Sequence, residues 1–161
     1  MKSRIDLAKV DPKAYQAMAG LETYIHNSGI EKPLLELMKM RASQINGCAY
    51  CLDMHSKDAR AAGETEQRLY ELNAWREAPF YSDRERAALA WTESLTLVSE
   101  THVPDGDFEE VKKHFSEAEI VALTMAVVAI NGWNRIAIAM RAVPGTYQPK
   151  AHAQQAAGAN K

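Results

Sequence analysis

Two cysteines and a histidine stand close together near the middle of the chain, in the order Cys48, Cys51 and His55. On an α-helix each residue advances by about 100°, so these three side chains would share one face of a helix. Cys51 and His55 would lie one turn apart, which lets an imidazole accept a thiol proton or return it. Because Gly47 precedes Cys48, the cysteines are expected in the first helical turn, where free backbone N–H groups and the helix dipole favour a thiolate. The pattern predicts a reactive dithiol.

The spacing of Cys48 and Cys51 also allows a disulfide across one helical turn. A bond that closes so small a ring reopens readily, which suits redox cycling better than permanent cross-linking. Inert core cysteines are an alternative. Zinc binding is another, because the pair and His55 supply three ligands, although no second Cys-x-x-Cys or His-x-x-x-His pair completes the usual set. A thioredoxin-type domain is disfavoured because the neighbouring βαβ pattern is absent.

The segments that must position this motif are helical nearly throughout, and no stretch alternates convincingly enough to predict a strand. Helix starts are marked by Asp11-Pro12 and by two capping boxes, Ser82–Glu85 and Ser116–Glu119. We therefore predict an all-α fold of about six to seven helices. Their expected ranges are about 11–28, 31–45, 48–62, 64–75, 82–100, 108–114 and 116–141.

The last predicted helix is apolar on nearly every face, which indicates a central core helix or a subunit interface. Its longest strongly apolar run, residues 125–130, is far shorter than the roughly 20 residues of a membrane span, so a membrane-spanning segment is excluded on the sequence. Polar residues within 131–135 predict a buried hydrogen-bonded network or a subunit contact, with Trp133 as a candidate lining residue near the thiols. The tripeptide Ile-Asn-Gly occurs at 45–47 and again at 130–132, a repeat short enough to arise by chance.

Length and composition narrow the class of protein. The 161 residues fit one domain, which can bury a sizeable core without a disulfide framework. The net charge of −2 and the lack of any run of five like charges argue against nucleic acid and polybasic membrane partners. The N-terminus has no apolar stretch typical of a signal peptide, so a cytoplasmic location is expected. Residues 1–147 are predicted to form a single domain, and 148–161 a disordered tail.

The segment from Glu36 to His55, ELMKMRASQINGCAYCLDMH, closely resembles the AhpD-like branch of the carboxymuconolactone decarboxylase family. Its core is a Glu-x11-Cys-x2-Cys-x3-His pattern. The resemblance covers about residues 15–145, with further support at 75–77, 85–89 and 131–135. It implies an all-helical antioxidant fold, a thiol-dependent peroxidase activity without a bound cofactor, and a homo-oligomer, often a trimer or hexamer.

The resemblance also implies a role for each residue of the motif. Cys51 matches the peroxidatic cysteine, which attacks the peroxide and becomes a sulfenic acid. Cys48 matches the resolving cysteine, which then forms the redox-active Cys48–Cys51 disulfide. His55 and Glu36 match a proton relay. The expected substrate is hydrogen peroxide or an organic peroxide, and the expected reductant is a dithiol such as a lipoyl group. A thiolate nucleophile, a nearby base and a resolving cysteine agree with this chemistry.

Three supporting residues have a second interpretation. Tyr50 stands where the best-studied branch has a histidine, and a phenol with a reference pKa of about 10 is a poor proton carrier at neutral pH; it can equally be ordinary packing. By spacing alone, Glu36 would lie on the solvated face of its helix, and only the motif assigns it to the relay. Ser43, seven residues later, could hold a relay water or bond its own backbone.

Two other functions stay open on the sequence. Lactone decarboxylation, the activity after which the wider family is called, uses general acid–base residues and needs no cysteine pair, so the cysteines argue against it. A redox sensor or a metal-binding oligomer would use the same cysteines without turnover.

Overall fold

The computed structural model describes residues 2–149, and within that range it contains nine α-helices, one 3₁₀ turn and no strand. The all-α prediction is confirmed. The helices are α1 Leu7–Val10, α2 Pro12–His26, α3 Lys32–Asn46, α4 Ala49–Ala61, α5 Glu66–Tyr70, α6 Asp83–Thr96, α7 Val98–Thr101, α8 Asp105–Lys112 and α9 Glu117–Met140, with the 3₁₀ turn at Leu72–Ala74.

The count exceeds the predicted six to seven because short helices flank or divide the longer ones. The predicted helix at 64–75 is α5 followed by the 3₁₀ turn, and the predicted helix at 82–100 divides into α6 and α7 after Thr96. The four-residue α1 precedes α2. Periodicity over a dozen residues does not reveal such breaks, because a 3₁₀ turn or a one-residue interruption shifts the apolar positions by only a fraction of a turn.

The predicted helix starts are formed by the expected side chains. Ser82 and Ser116 each accept a hydrogen bond from the backbone N–H of the glutamate three residues on, and each glutamate accepts one from the serine N–H in return. At the start of α2, the Asp11 carboxylate accepts from two backbone N–H groups. These caps satisfy donors that a helix start otherwise leaves without partners.

Helices α3 and α9 occupy the centre of the bundle. α9 packs against α2, α3 and α6, and α3 also packs against α4. The largest core cluster joins Met38 of α3, Trp91 of α6 and Leu123 of α9. In α3 every side chain from Leu34 to Met40 is buried, so this helix has no solvated face over two turns. Any polar group in that stretch must find its partner inside the protein.

Helix α9 corrects one expectation from the sequence. With 24 residues and a mean hydropathy of 1.4 in its most apolar window, it is long and apolar enough to cross a membrane by length and composition. The exclusion of a membrane-spanning segment from the longest uninterrupted apolar run is therefore wrong in its criterion. Isolated polar residues break such a run without making the helix polar. The helix nevertheless packs against three others, and 44% of that window is buried inside the bundle.

The segment 142–149, called the C-terminal strap below, follows α9 and runs back along α4. The backbone N–H of Gly145 donates to the Asp53 carboxylate at 2.9 Å, and Lys57 Nζ donates to the Tyr147 carbonyl oxygen at 3.0 Å. Of the predicted disordered tail, 148 and 149 belong to this strap and are not helical, while 150–161 lie outside the described residues.

Candidate active site

The two cysteines lie at the junction between α3 and α4. α3 ends at Gly47, whose φ of 68° is in the left-handed region that glycine enters without strain. Cys48 then caps α4: its sulfur accepts a hydrogen bond from the Cys51 N–H at 3.3 Å. The pair forms a disulfide, with 5.4 Å between the Cα atoms. The predicted position of the cysteines in the first turn of a helix is confirmed.

The disulfide is buried. Cys48 is 1% exposed and Cys51 is 2% exposed, and both pack against Ala42 of α3 and Ile130 of α9. Tyr50 is a partly exposed member of the same cluster. Both sulfurs are therefore shielded from solvent, and a reactant can reach them only when the side chains around them move.

Glu36 and His55 form a buried pair beside the cysteines. Glu36 Oε2 lies 2.8 Å from His55 Nδ1, and their exposed fractions are 7% and 6%. The glutamate does not lie on a solvated face, because α3 is buried all round at this position. Burial acts to raise the pKa of Glu36, but the hydrogen bond from His55 and the charges of Lys39 and Lys32 outweigh it and hold that pKa below its ordinary value. Glu36 is thus an ionised carboxylate inside the protein.

Two further residues, Asp58 and Tyr147, belong to this cluster and were missed by the sequence analysis. Carboxylate and imidazole atoms of Asp58, Glu36 and His55 all lie within 4.8 Å of one another. The Tyr147 hydroxyl lies 2.8 Å and 2.9 Å from the two carboxylate oxygens of Asp58. Asp58 could have been found from its offset of three residues from His55 on one helix face. Tyr147 had no local signal, since it comes from the strap.

Ser43 takes part in a buried polar network between α3 and α9. Its hydroxyl donates to the Lys39 carbonyl at 2.7 Å and accepts from Asn134 Nδ2 at 3.0 Å. Asn46 Nδ2 donates to the side-chain oxygens of Asn131, at 3.0 Å, and Asn134, at 2.8 Å. The predicted hydrogen-bonded network is therefore present, and the two Ile-Asn-Gly tripeptides meet through their asparagines. The hydroxyl of Ser43 has partners on both sides, and its role in a relay stays a prediction.

Trp133 contacts the N-terminal part of the bundle. Its ring lies 5.6 Å from that of Tyr15 on α2, centroid to centroid, in a tilted arrangement. This contact joins α2 to α9.

One group of side chains has the composition of a metal site. Glu36, His55 and Asp58 offer two carboxylates and an imidazole at mutual distances within 4.8 Å, a donor set that suits several divalent transition metals. Glu36 and His55 are already bonded to each other, and Asp58 accepts from Tyr147. These side chains therefore have hydrogen-bond partners within the protein.

Comparisons with known proteins place these features in a family. Residues 12–94 match the carboxymuconolactone decarboxylase family. The chain is similar to the uncharacterised protein YdfG of Bacillus subtilis, with 45% identity over 140 residues, which make up 87% of this chain and 95% of YdfG. It is also similar to alkyl hydroperoxide reductase AhpD of Streptomyces griseus, with 40% identity over 62 residues, but that match spans only 38% of this chain and 35% of the relative.

Solved structures show the same fold. A protein of unknown function from Agrobacterium tumefaciens, described as a candidate AhpD antioxidant defence protein, superposes with a TM-score of 0.87 at 46% identity, covering 91% of this chain and 100% of the other. The debrominase Bmp8 superposes with a TM-score of 0.77 at 24% identity, covering 86% of this chain and 74% of the other. At that lower identity the likeness concerns the fold alone.

Proposed function

Because the chain belongs to the carboxymuconolactone decarboxylase family, in its AhpD-like branch, we propose that it is a dithiol peroxidase that reduces hydrogen peroxide or organic peroxides. The observation that carries the proposal is the buried Cys48–Cys51 disulfide at the start of α4, one turn before a histidine that is held by an ionised glutamate. A nucleophile, a resolving thiol and a proton carrier are the groups that this reaction needs.

The first step uses the thiolate of Cys51. It attacks the terminal oxygen of the peroxide, the O–O bond breaks, and the sulfur becomes a sulfenic acid. The alkoxide that leaves takes up the proton that Cys51 gave away, so that the products of this step are an alcohol and the sulfenic acid. His55 is the proton carrier, since it follows Cys51 by one helical turn and its Nδ1 is engaged by Glu36, which leaves Nε2 free to exchange a proton with the thiol.

The second step joins the two sulfurs. The Cys48 sulfur attacks the sulfenic sulfur of Cys51, the S–O bond breaks, and the hydroxyl leaves as water with the proton of the Cys48 thiol. The product is the disulfide seen in the structure. Formation of the disulfide stops further oxidation of Cys51 to sulfinic acid.

The third step restores the thiols. An external dithiol, for which a dihydrolipoyl group is the expected example, attacks the disulfide through one sulfur and closes on itself with the other. Two electrons and two protons pass from the reductant to Cys48 and Cys51. Over the cycle one peroxide and one dithiol become one alcohol, one water and one cyclic disulfide, so that electrons and protons balance. We place this cycle in the cytoplasm, where dithiol reductants are maintained.

Peroxide consumption with and without each cysteine tests the proposal. We expect Cys51→Ser to abolish turnover of hydrogen peroxide or tert-butyl hydroperoxide with dihydrolipoamide, because it removes the nucleophile. Cys48→Ser should allow a single turnover that ends in a sulfenic acid, which dimedone traps on Cys51. Ala49→Ser is the matched control, since this exposed position lies between the cysteines and should keep turnover.

Two results would point elsewhere. Full turnover in both cysteine variants would exclude a dithiol peroxidase, and decarboxylation of a lactone substrate by the same variants would favour the reaction of the wider family. Stoichiometric zinc binding by the reduced chain with no peroxide consumption would favour a metal-binding or sensing role.

A further inference from the structure

We propose that Asp58 and Tyr147 are positioning residues of the active site. The C-terminal strap holds Tyr147 so that its hydroxyl fixes the Asp58 carboxylate beside the Glu36–His55 pair. Asp58 is then the group of the proton relay that lies nearest to the solvent. The inference rests on the proposed function for its role in catalysis. It assigns a part of the active site to residues that follow the last helix of the bundle.

The strap is attached to α4 at three points on two successive turns. Asp53 accepts from the Gly145 N–H, Lys57 donates to the Tyr147 carbonyl, and Asp58 accepts from the Tyr147 hydroxyl. Asp53 and Lys57 also form an ion pair at 2.9 Å, so that the two backbone anchors support each other. One backbone anchor is at Gly145 and the other is the carbonyl of Tyr147 itself, so together they fix the backbone from which the Tyr147 side chain reaches Asp58.

The hydrogen bond between Tyr147 and Asp58 matters for the active site because of where Asp58 lies. Its carboxylate lies within 4.8 Å of the reactive atoms of Glu36 and His55. Those two side chains are almost fully buried, whereas Asp58 and Tyr147 are partly exposed. Asp58 therefore stands between a buried acid–base pair and the solvent, which is where a relay needs a group that exchanges protons with water.

Tyr147 is suited to hold Asp58 rather than to carry the proton itself. Burial, and then the carboxylates of Asp58 and Glu36, raise the pKa of the Tyr147 phenol above its ordinary value of 10.0. The hydroxyl thus stays protonated throughout the working range of a cytoplasmic enzyme and remains a hydrogen-bond donor. Both oxygens of Asp58 lie within 2.9 Å of the Tyr147 hydroxyl, which holds the carboxylate in place.

A proton relay that ends at the surface is useful in this reaction because the two thiols lose protons during oxidation and must regain them during reduction. The thiol proton of Cys51 leaves with the alcohol, and both thiols regain protons when the dithiol reduces the disulfide. His55 and Glu36 have little direct contact with bulk water, at exposures of 6% and 7%. Asp58 offers the path by which the pair equilibrates with solvent between the two half-reactions.

The test uses the pH dependence of Cys51 reactivity, which does not require peroxidase activity. In a Cys48→Ser background Cys51 is the single thiol of the chain, and iodoacetamide reports its ionisation. The charged groups that act on the Glu36–His55 pair are Lys32 and Lys39 of α3 and Asp58 of α4, while Asp53 and Lys57 neutralise each other. Removing the negative charge of Asp58 lowers the proton affinity of the titrating groups near it. The acidic limb of the pH profile of Cys51 alkylation should therefore move to lower pH.

We expect Asp58→Asn to move the acidic limb of alkylation down by about 0.5 pH unit. This is less than the shift of about 1 unit or more that a charge within roughly 4–6 Å produces, because Asp58 lies two helical turns from Cys51 and acts on it through the Glu36–His55 pair. Tyr147→Phe should move it in the same direction by less, because the carboxylate is kept but no longer held. The double variant should match Asp58→Asn, since Tyr147 acts only through Asp58. Asp58→Glu should restore part of the shift. Tyr70→Phe, on an exposed tyrosine of α5, is the matched control.

Turnover provides the second readout. If the parent consumes peroxide, kcat should fall several-fold in Tyr147→Phe and Asp58→Asn, less than the roughly 10²-fold loss expected for a group that transfers the proton directly. Alkylation limbs that match the parent in both variants would overturn the inference, as would additive effects in the double variant. A parent that consumes no peroxide but shows the shifts would overturn the proposed function while supporting the placement of Asp58 and Tyr147.

Discussion

The candidate active site consists of a few side chains whose environment is unusual for their type. His55 is bound through one ring nitrogen by Glu36 at 2.8 Å, in a stretch of α3 where every side chain is buried. A buried carboxylate is stable there only because a hydrogen bond and two nearby lysines compensate for its lost hydration. The cost of burying Glu36 indicates that the side chain fixes the orientation and tautomer of His55.

Replacing Glu36 tests this interpretation. We expect Glu36→Gln to lower kcat for peroxide by about tenfold to 100-fold, at or below the effect of losing a direct proton-transfer group, because His55 keeps a hydrogen-bond neighbour but loses the negative charge beside its Nδ1. Steady-state peroxide consumption with dihydrolipoamide measures the change. Glu22→Gln is the control. Glu22 of α2 forms an ion pair at 2.7 Å with Lys39, which lies one turn after Glu36 on α3. Equal losses in both variants would show a general charge effect.

The pKa of Glu36 also predicts how the stability of the protein depends on pH. Because the pKa of Glu36 is depressed in the folded protein, its contribution to stability is fully present above the ordinary value of 4.5 and is lost as the pH falls through the lower folded value. The parent should therefore lose more stability than Glu36→Gln as the pH is lowered through and below 4.5, as measured by urea unfolding. Identical pH profiles would contradict this.

At the scale of the elements, the site depends on how helices begin and end. α3 must stop before Gly47 and Cys48 must cap α4, because only then does the Cys48 sulfur reach the backbone N–H of Cys51. α9 must also begin at a defined residue, since Ile130 and Asn134 have to arrive opposite the cysteines and Ser43. The Ser116 capping box sets that start, and Arg84 together with Ser116 lowers the pKa of Glu119 to about 2, which keeps the box charged.

Removing the cap of α9 should weaken the whole bundle. We expect Ser116→Ala to lower the free energy of unfolding by about 1 kcal/mol, the usual loss for a serine N-cap, because the backbone N–H of Glu119 loses its acceptor. Urea unfolding followed by circular dichroism measures it. Ser99→Ala, at an exposed position in α7, should change the value by less than about 0.5 kcal/mol. A loss no larger than that control would show that packing alone defines the start of α9.

At the scale of the whole molecule, α9 is both the central helix and an apolar surface. One side of it packs against α2, α3 and α6, while Val121, Val128 and Ile138 remain 55%, 51% and 48% exposed. Val121 and Val128 are two turns apart and therefore lie on one stripe. The homo-oligomer implied by the family would cover such a stripe, and we propose that copies of the chain meet along this face.

Light scattering coupled to size-exclusion chromatography measures the assembly. We expect the parent to elute with the mass of a trimer or hexamer, and Val128→Lys to shift it toward the monomer, because a charge in an apolar contact costs more than it does in water. Val98→Lys, at a similarly exposed position in α7, should leave the mass unchanged. A monomeric parent would exclude the oligomer, and an unchanged Val128→Lys assembly would place the interface on another face.

The local part of this architecture was open to prediction from the sequence. Helix periods, serine caps and the glycine after α3 are governed by contacts within a few residues, so the all-α fold and the position of Cys48 and Cys51 at a helix start could be predicted. The offset of Cys51 and His55 follows from helix geometry for the same reason. The motif also indicated Glu36, although spacing alone placed it on a solvated face.

Only the tertiary structure decided which distant groups meet. The burial of Glu36 depends on α3 being enclosed by α4, α6 and α9, and no pattern within α3 contains that information. Tyr147 reaches Asp58 across 89 residues of sequence because the strap returns along α4. The sequence by itself determined the reactive pair and the helix that presents it, because those depend on local hydrogen bonds. The contacts of Glu36 with His55 and of Tyr147 with Asp58 depend on packing between distant segments, which only the folded chain defines.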